Sequence, residues 1–542
     1  MTDASPVPVS PVPPSKTTGQ AAAFDHVVVG AGINGLVAAA LLSRRGGKVL
    51  VLEREDHIGG CMRSAEVTAP GFLHDVLATT FVLFVTSPAY AELGADLARH
   101  GLEFCHSPHP TAVLRPNGES LVLTRDRACN IGACSARAEG DGASYGRDVG
   151  EIEANAQLLF GLLGGALWSG ATFRLLAREF WRRGMHGLSA YIGSLLVPAR
   201  GWLETSYASP LTQALFAPWV RHCGLSPEDS TSAQMAKVVA FALEAAGAPI
   251  VKGGAANAAT ALRRLIEERS GSIRTRSPVD RILVEKGRAT GVALSSGEII
   301  RARKSVIASL TPSELYGRLL GEAAPQFTRD KAAHFRHGSG NFQLHYALDR
   351  APRWIADGLE KVALIHLSEG LDAVSKSYNE AMRGLLPQVP TICVGQPAAL
   401  DSSRCPPGKA ILWIQVPDAP RQVKGDASGT IATSGSWDEA TREAFADRIE
   451  AILARHIRDF RRSILGRHAC SPADLQSINV NLAGGDPYGG ACSIDQFFTW
   501  RPFTGSVNHH TGIKGLYHIG ASTHPGPGLA GGSGYLVARE LA

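Results

Sequence analysis

FDHVVVGAGINGLVAAALLSRRGGKVLVLERE, Phe24 to Glu55, decides the fold. His26 to Val29 reads as a short apolar strand, Gly30, Gly32 and Gly35 form a GxGxxG turn, Leu36 to Arg45 reads as a helix, and KVLVLE is a second strand ending at Glu53. A strand, glycine turn, helix and strand within about 30 residues is a βαβ unit, the setting in which GxGxxG marks a dinucleotide site. Gly30 makes the tight turn, Gly32 lets a pyrophosphate approach the backbone where Ile33 and Asn34 open the helix, and Gly35 lets helix and strand pack closely. The positive end of the helix stabilises the phosphate charge. Glu53, followed by Arg54, is placed to hydrogen-bond a ribose hydroxyl.

Working outward, HIGGCMRS (His57 to Ser64) follows the second strand at once, and Gly59 and Gly60 let the backbone pass close to a long dinucleotide. Cys61 has no second cysteine in the MRSAEVTAPGF that follows, which leaves a packing thiol rather than a redox disulfide. Further on, Val251 to Ser309 opens with the pair Gly253 and Gly254, continues as an amphipathic helix, and ends in short strands separated by KG and SG turns. Near the C-terminus, strand-like LYHIG leads into ASTHPGPGLAGGSG, and helical GYLVARELA leads out. So much glycine and proline between two regular elements marks a backbone that must touch something.

The chain of 542 residues exceeds what one core usually holds, so at least two domains are expected. Hydrophobic residues at 44%, charged residues at 19% and a formal charge of +5 are ordinary for a globular protein and argue against nucleic acid as a partner. The nine cysteines show no CxxC pair and no zinc-like spacing, so no metal site is expected and the thiols read as reduced. That places the chain in the cytoplasm. Residues 1–23 carry a proline-rich stretch without an apolar core and read as a disordered leader rather than an export signal. The longest apolar run, Leu158 to Trp168, is too short to span a bilayer. The helical segment 158–183 nevertheless mixes aromatic residues with Arg174, Arg178, Arg182 and Arg183, a pattern that suits either a core-facing helix or peripheral contact with the inner face of a membrane.

Together these segments closely resemble the phytoene desaturase (carotenoid desaturase) family of FAD oxidoreductases, in the branch of phytoene-dehydrogenase-like proteins. The resemblance covers about 24–125, 250–312 and 475–542, and it is weak between them. It implies an α/β chain: a discontinuous Rossmann-type FAD-binding domain of the amine-oxidase-like superfamily built from those three segments, with an interleaved α+β substrate domain from 126–249 and 313–474. Strand-like runs at 341–348, 390–395 and 410–417 suggest the sheet of that second domain. The family's GG stretch is usually followed by arginine. Here Cys61 takes that slot and Arg63 lies two residues on. Val279 matches the residue whose backbone meets adenine. The C-terminal loop, with Gly520, Ala521, Gly528, Leu529, Gly531 and Gly532, matches the segment beside the flavin ring, where a helix starting at 531–533 would favour the negative charge that reduction brings.

The implied reaction is dehydrogenation of an apolar isoprenoid or carotenoid-like molecule by hydride transfer to FAD, which needs position and dryness more than a strong acid or base. Allylic oxidation of a smaller terpene, ketolase-type oxidation and flavin-dependent isomerisation stay open on the same fold, as does a non-catalytic carrier of prenyl-like ligands. His524 is a candidate to orient substrate or take a proton, with a structural turn as its alternative. Asp495, Gln496 and Arg501 in SIDQFFTWRP are candidates with a buried polar network as theirs, and His509 and His510 read as an exposed loop. No second GxGxxG unit for NADPH is present in mid-chain, so dioxygen, a quinone or another acceptor is expected to reoxidise the flavin. No motif speaks for an associated protein.

Overall fold

A helix that crosses over between two neighbouring strands makes them parallel, and a parallel sheet is covered on both faces; that is how the motif folds. In the computed structural model, which describes residues 23–542, Ala23–Val29 and Val49–Leu52 lie side by side in parallel, with Val27, Val28, Val49, Leu50 and Val51 fully buried. The expected leader lies, but for its last residue, outside the described residues. The helix Ile33–Arg44 packs on these strands with every residue from Ile33 to Ser43 buried. Beyond Ala23–Val29 comes Ile299–Ser309, also parallel, which carries Leu516–Ile519 in parallel and the antiparallel meander Val279–Glu285 and Arg288–Leu294. Ser272–Arg274 closes the other edge. Three stretches far apart in sequence thus form one seven-stranded sheet.

The second sheet also has seven strands, in the spatial order Ile464–Cys470, Gly340–Leu348, Ala410–Ala419, Ile392–Gly395, Leu364–Leu367, Thr111–Leu114 and Ser120–Leu123. The three strands expected at 341–348, 390–395 and 410–417 are all in it. Two boundaries differ from the expected ones. Thr111–Leu114 and Ser120–Leu123 fall in the 24–125 segment but join this sheet, because Thr111–Leu114 pairs in parallel with Leu364–Leu367 and sends Ala112 and Leu114 into the core beneath. Conversely, Ser313–Leu319 falls in the 313–474 segment but packs Leu315, Tyr316 and Leu319 against Val279, Ile282 and Leu516 of the first sheet. The helix expected over 158–183 is two helices, Ala156–Gly164 and Gly170–Leu195, the second broken at Gly184. The break between them follows from Gly164 and Gly165 and from Ser169, whose side chain accepts from the Thr172 N–H to cap a new start.

A buried ionic network ties segments of the two sheets' connections together. The Arg404 guanidinium is 3.1 Å from Asp75 and 2.9 Å from Asp401, all inaccessible to solvent or nearly so. Asp75 also accepts from the Ser64 hydroxyl and the Ala255 N–H, and Asp401 accepts from the Gly253 N–H. The stretch after Gly59 and Gly60 and the turn at 253–255 are thereby held to each other and to the second sheet's connections. Charges this deep are tolerated only when each finds partners.

Candidate functional site

In parallel sheets ligands settle beyond the carboxyl ends of the strands. A cavity of about 350 Å³ opens there, lined among others by Gly30, Gly32, Glu53, Arg54, Ser277, Val279 and Arg318. Glu53 is buried; one carboxylate oxygen accepts from the Ala31 N–H at 2.8 Å and the other from the Glu55 N–H at 3.0 Å, which leaves lone pairs on both for a diol. A Cβ built on Gly35 would stand 2.1 Å from the Gly30 carbonyl oxygen, so helix and strand approach only because residue 35 is glycine. Around Gly32 a Cβ meets nothing within 4 Å, and the main chain itself is the cavity wall. Arg318, which the sequence did not single out, donates to the Val279 carbonyl at 3.1 Å.

A second cavity of about 300 Å³ continues from the first, sharing Gly32, Gly60, Ser309, Leu310, Asn479 and Asn481 with it. Ile33, Asn34, Gly59, Cys61, Gly520, Ala521, Gly528 and Leu529 line this part. Two helices begin side by side at its wall, Ile33–Arg44 and Gly532–Glu540, and neither N-terminus carries a side-chain cap. They are locked by Ser533, whose hydroxyl donates to Asn34 Oδ1 and accepts from the Gly520 N–H, with Gly531 turning the chain into the second helix. Unsatisfied N–H groups and two positive helix ends favour an anion between them. A carboxylate and main-chain groups at one end, and helix starts midway, fit an elongated dinucleotide.

Four of the expected contacts line neither cavity: Gly35 in the helix–strand contact, Gly531 and Gly532 at the start of the last helix, and Arg63. The Arg63 carbonyl accepts from the Val76 N–H. Cys61 does line the second cavity, but burial pushes its thiol up to about 11, and all nine cysteines are free, so no disulfide chemistry resides there.

The catalytic candidates are placed as scaffolding. His524 Nε2 donates to the Gly165 carbonyl at 3.0 Å, burial holds the ring near about 4 and hence neutral, and the side chain is not part of the cavity lining. It pins the C-terminal loop to the end of Ala156–Gly164. Asp495 is exposed and paired with Arg336. Gln496 clamps the backbone of Arg336 through both ends of its amide. Arg501 is buried without a carboxylate partner and donates to the carbonyls of Tyr488 and Ala521, each at 2.7 Å, which positions Ala521 at the cavity wall. His509, expected in an exposed loop, is buried and donates to the His524 carbonyl at 2.8 Å, whereas His510 pairs with Glu540.

What the sequence did not point to is the opposite wall of the second cavity: Asn341, Gln343, Trp413 and Gln415 from the second sheet, and His222 from the short helix Trp219–His222. His222 Nε2 meets His366 Nε2 at 2.8 Å, one neutral ring donating to the other, since burial holds His222 near about 4 and His366 also well below its ordinary value. The alternation in NFQLHY was the available signal, polar at 341, 343 and 345 and apolar between.

Residues 28–97 match the family of NAD(P)-binding Rossmann-like domains. The chain is 28% identical to mouse pyridine nucleotide-disulfide oxidoreductase domain-containing protein 2, covering 96% of this chain and 94% of that one. It is 27% identical to one of the limonene dehydrogenase subunits of Castellaniella defragrans, over 96% and 94%. It is 26% identical to a zeta-carotene-forming phytoene desaturase of Myxococcus xanthus, over 93% and 90%. Among solved structures, an oxidoreductase from Methanosarcina mazei superposes with a TM-score of 0.62 at 16% identity, covering 95% of this chain and 99% of that one. A putrescine oxidase bound to putrescine superposes with a TM-score of 0.59 at 14% identity, covering 96% and 98%. Over almost its full length, therefore, the chain resembles phytoene desaturases and pyridine nucleotide-disulfide oxidoreductase domain-containing protein 2, with a Rossmann-like dinucleotide-binding segment and the fold shared by the Methanosarcina mazei oxidoreductase and the putrescine oxidase.

Proposed function

We propose that the trough formed by the two joined cavities holds FAD along its glycine side, past Gly32, Gly60 and Gly520, and that the chain dehydrogenates an apolar isoprenoid-like molecule seated in the second cavity between that cofactor and the sheet wall. One observation carries the substrate class: no Asp, Glu, Lys or Arg is among the residues that line that cavity. A cationic amine would find no counter-charge there, whereas an uncharged apolar molecule loses nothing by leaving water. When bound, FAD would supply the hydride acceptor. The chain's own share is to hold the reacting carbon between the main chain at Gly520, Ala521 and Gly59 and the sheet wall at Trp413, and to exclude water. The names of the limonene dehydrogenase and the phytoene desaturase support a terpenoid substrate. The test is the visible spectrum of protein reconstituted with FAD. Bands near about 375 and 450 nm should bleach on anaerobic addition of one class among monoterpenes and carotenoid precursors, and dioxygen or a quinone should restore them. Protein that takes up no FAD, or whose flavin no member of the panel reduces, refutes the reading.

The same reading assigns the helices Ala156–Gly164 and Gly170–Leu195 to a lipid surface. Trp168, Phe173, Trp181 and Met185 are 58%, 74%, 84% and 67% exposed, far more than isolated surface apolar residues require, and arginines flank them. Bonds from His524 to Gly165 and between Asn508 and Trp168 hold this patch beside the loop that lines the second cavity. Among the described residues no helix is long and apolar enough to cross a membrane. Wild-type protein should sediment with anionic vesicles, and the double variant F173S/W181S should bind them about tenfold or more weakly. A wild type that ignores vesicles but forms an oligomer broken by the variant would make this face an interface between copies of the chain instead.

A further inference from the structure

Turning a C–C single bond into a double bond breaks two C–H bonds. One hydrogen leaves with its electron pair to the hydride acceptor; the other leaves as a proton, and the pair it gives up becomes the second bond between the carbons. That proton needs a taker in a cavity whose lining holds no carboxylate. Among the described residues the lining offers three titratable side chains, Cys61, His222 and Tyr488. Burial pushes the Cys61 thiol up to about 11 and raises the Tyr488 phenol as well, so at neutral pH each keeps its own proton and neither can take a second. The Tyr488 hydroxyl is also consumed by the Arg221 carbonyl. His222 differs, because a neutral imidazole always has one bare nitrogen.

This ring is held from behind. Its Nε2 lies 2.8 Å from His366 Nε2, and Trp219 on the same short helix packs against both imidazoles, with ring centres 4.6 and 4.8 Å away. His366 stands in one row across the second sheet with Cys393, Gln415 and Gln343, which seats the pair on the sheet wall, across the cavity from Gly32, Gly60 and Gly520. Among the described residues His222 Nδ1 has no hydrogen-bond partner, and unlike the Nδ1 of His366 it is not sealed inside the protein.

We propose that His222 Nδ1 takes the proton released when the substrate is dehydrogenated, with His366 steadying the ring that receives it. This rests on the reading of the second cavity as the seat of an apolar substrate. The proton bonds to the Nδ1 lone pair, and the imidazolium so formed donates its Nε2–H to His366 Nε2, a charge-assisted bond stronger than the neutral one it replaces. That requires the tautomer in which His222 carries its hydrogen on Nε2 and leaves Nδ1 bare. Because His222 stands on the wall opposite the glycine side, the two hydrogens leave the substrate from opposite faces.

Two measurements on the FAD-loaded protein test this. With isotopically labelled histidine nitrogens, the NMR signals of His222, assigned by their absence from His222→Gln, should show Nε2 protonated and Nδ1 bare at neutral pH. A hydrogen on Nδ1 overturns the proposal, since that nitrogen then has no lone pair to give. In stopped flow with the probes myrcene and phytoene, flavin bleaching at saturation should be about 100-fold slower in His222→Gln, while the half-saturating concentration stays within about threefold of wild type. Bleaching at the wild-type rate overturns the proposal and leaves the apolar-substrate reading standing. Should His222→Gln fail to retain flavin, wild type decides alone: with deuterium placed on one face of the probe, loss of both hydrogens from the same face overturns the proposal, and loss from opposite faces supports it. If neither probe bleaches wild-type flavin, the apolar-substrate reading falls and the proposal with it.

Discussion

Lowering the pH from 7.5 to 4.5 should strip several kcal/mol of stability from this protein before its carboxylates matter. His222, His509, His518 and His524 are each held near about 4, chiefly because burial penalises the charged ring; Arg221 adds to it at His222, and neighbouring histidines at the others. Once unfolded, the same rings titrate near about 6.5. Between those values the unfolded chain takes up protons that the folded chain refuses, so stability is complete above about 6.5 and falls as the pH drops toward 4. The loss amounts to about 1.4 kcal/mol per histidine for each pH unit in that window. Urea midpoints measured every half unit should decline steeply below pH 6.5. Replacing His518, which donates to the Leu310 carbonyl at 2.8 Å, with asparagine should flatten the slope. A midpoint unchanged from pH 7.5 to 5 would contradict the neutral, buried assignment of these rings.

Two glycines five angstroms or so apart along one turn should fail in opposite ways. Gly35→Val places a Cβ 2.1 Å from the Gly30 carbonyl oxygen and 3.2 Å from a Val28 methyl, with no flexible side chain able to yield. We expect loss of about 3 kcal/mol or more, with poor recovery of folded protein. A Cβ on Gly32 meets nothing within 4 Å, so the fold of Gly32→Val should survive with a midpoint close to wild type. The new side chain would instead occupy the trough where the pyrophosphate is proposed to pass, and FAD affinity, read by flavin fluorescence, should fall about 100-fold, a loss of about 2.7 kcal/mol. Retention of FAD by Gly32→Val at wild-type affinity would remove the cofactor from this trough. A normally stable Gly35→Val would show that helix and strand can separate.

The contrast between these glycines also shows how far sequence reasoning reaches. The βαβ unit, the GG stretch, the terminal loop and three strands of the second sheet were legible because each is encoded within a few neighbouring residues: apolar periodicity, glycine spacing, a turn. The assignment of Thr111–Leu114 to the second sheet was not, since a four-residue strand carries no sign of which partner 250 residues away will complete its hydrogen bonds. The catalytic candidates suffered from the same blindness. His524, Gln496 and Arg501 are polar residues in a glycine-rich setting, and only the packing shows that their polar atoms are consumed by the backbone of Gly165, Arg336 and Ala521.

By itself, then, the sequence determined the class of fold and the main-chain elements of a dinucleotide trough, because steric demands at glycine and the two-faced burial of short strands are local. Only the tertiary structure decided which polar groups remain free. That depends on every neighbour each group meets in space, and it set Asn341, Gln343 and Gln415 on a cavity wall that no motif announced.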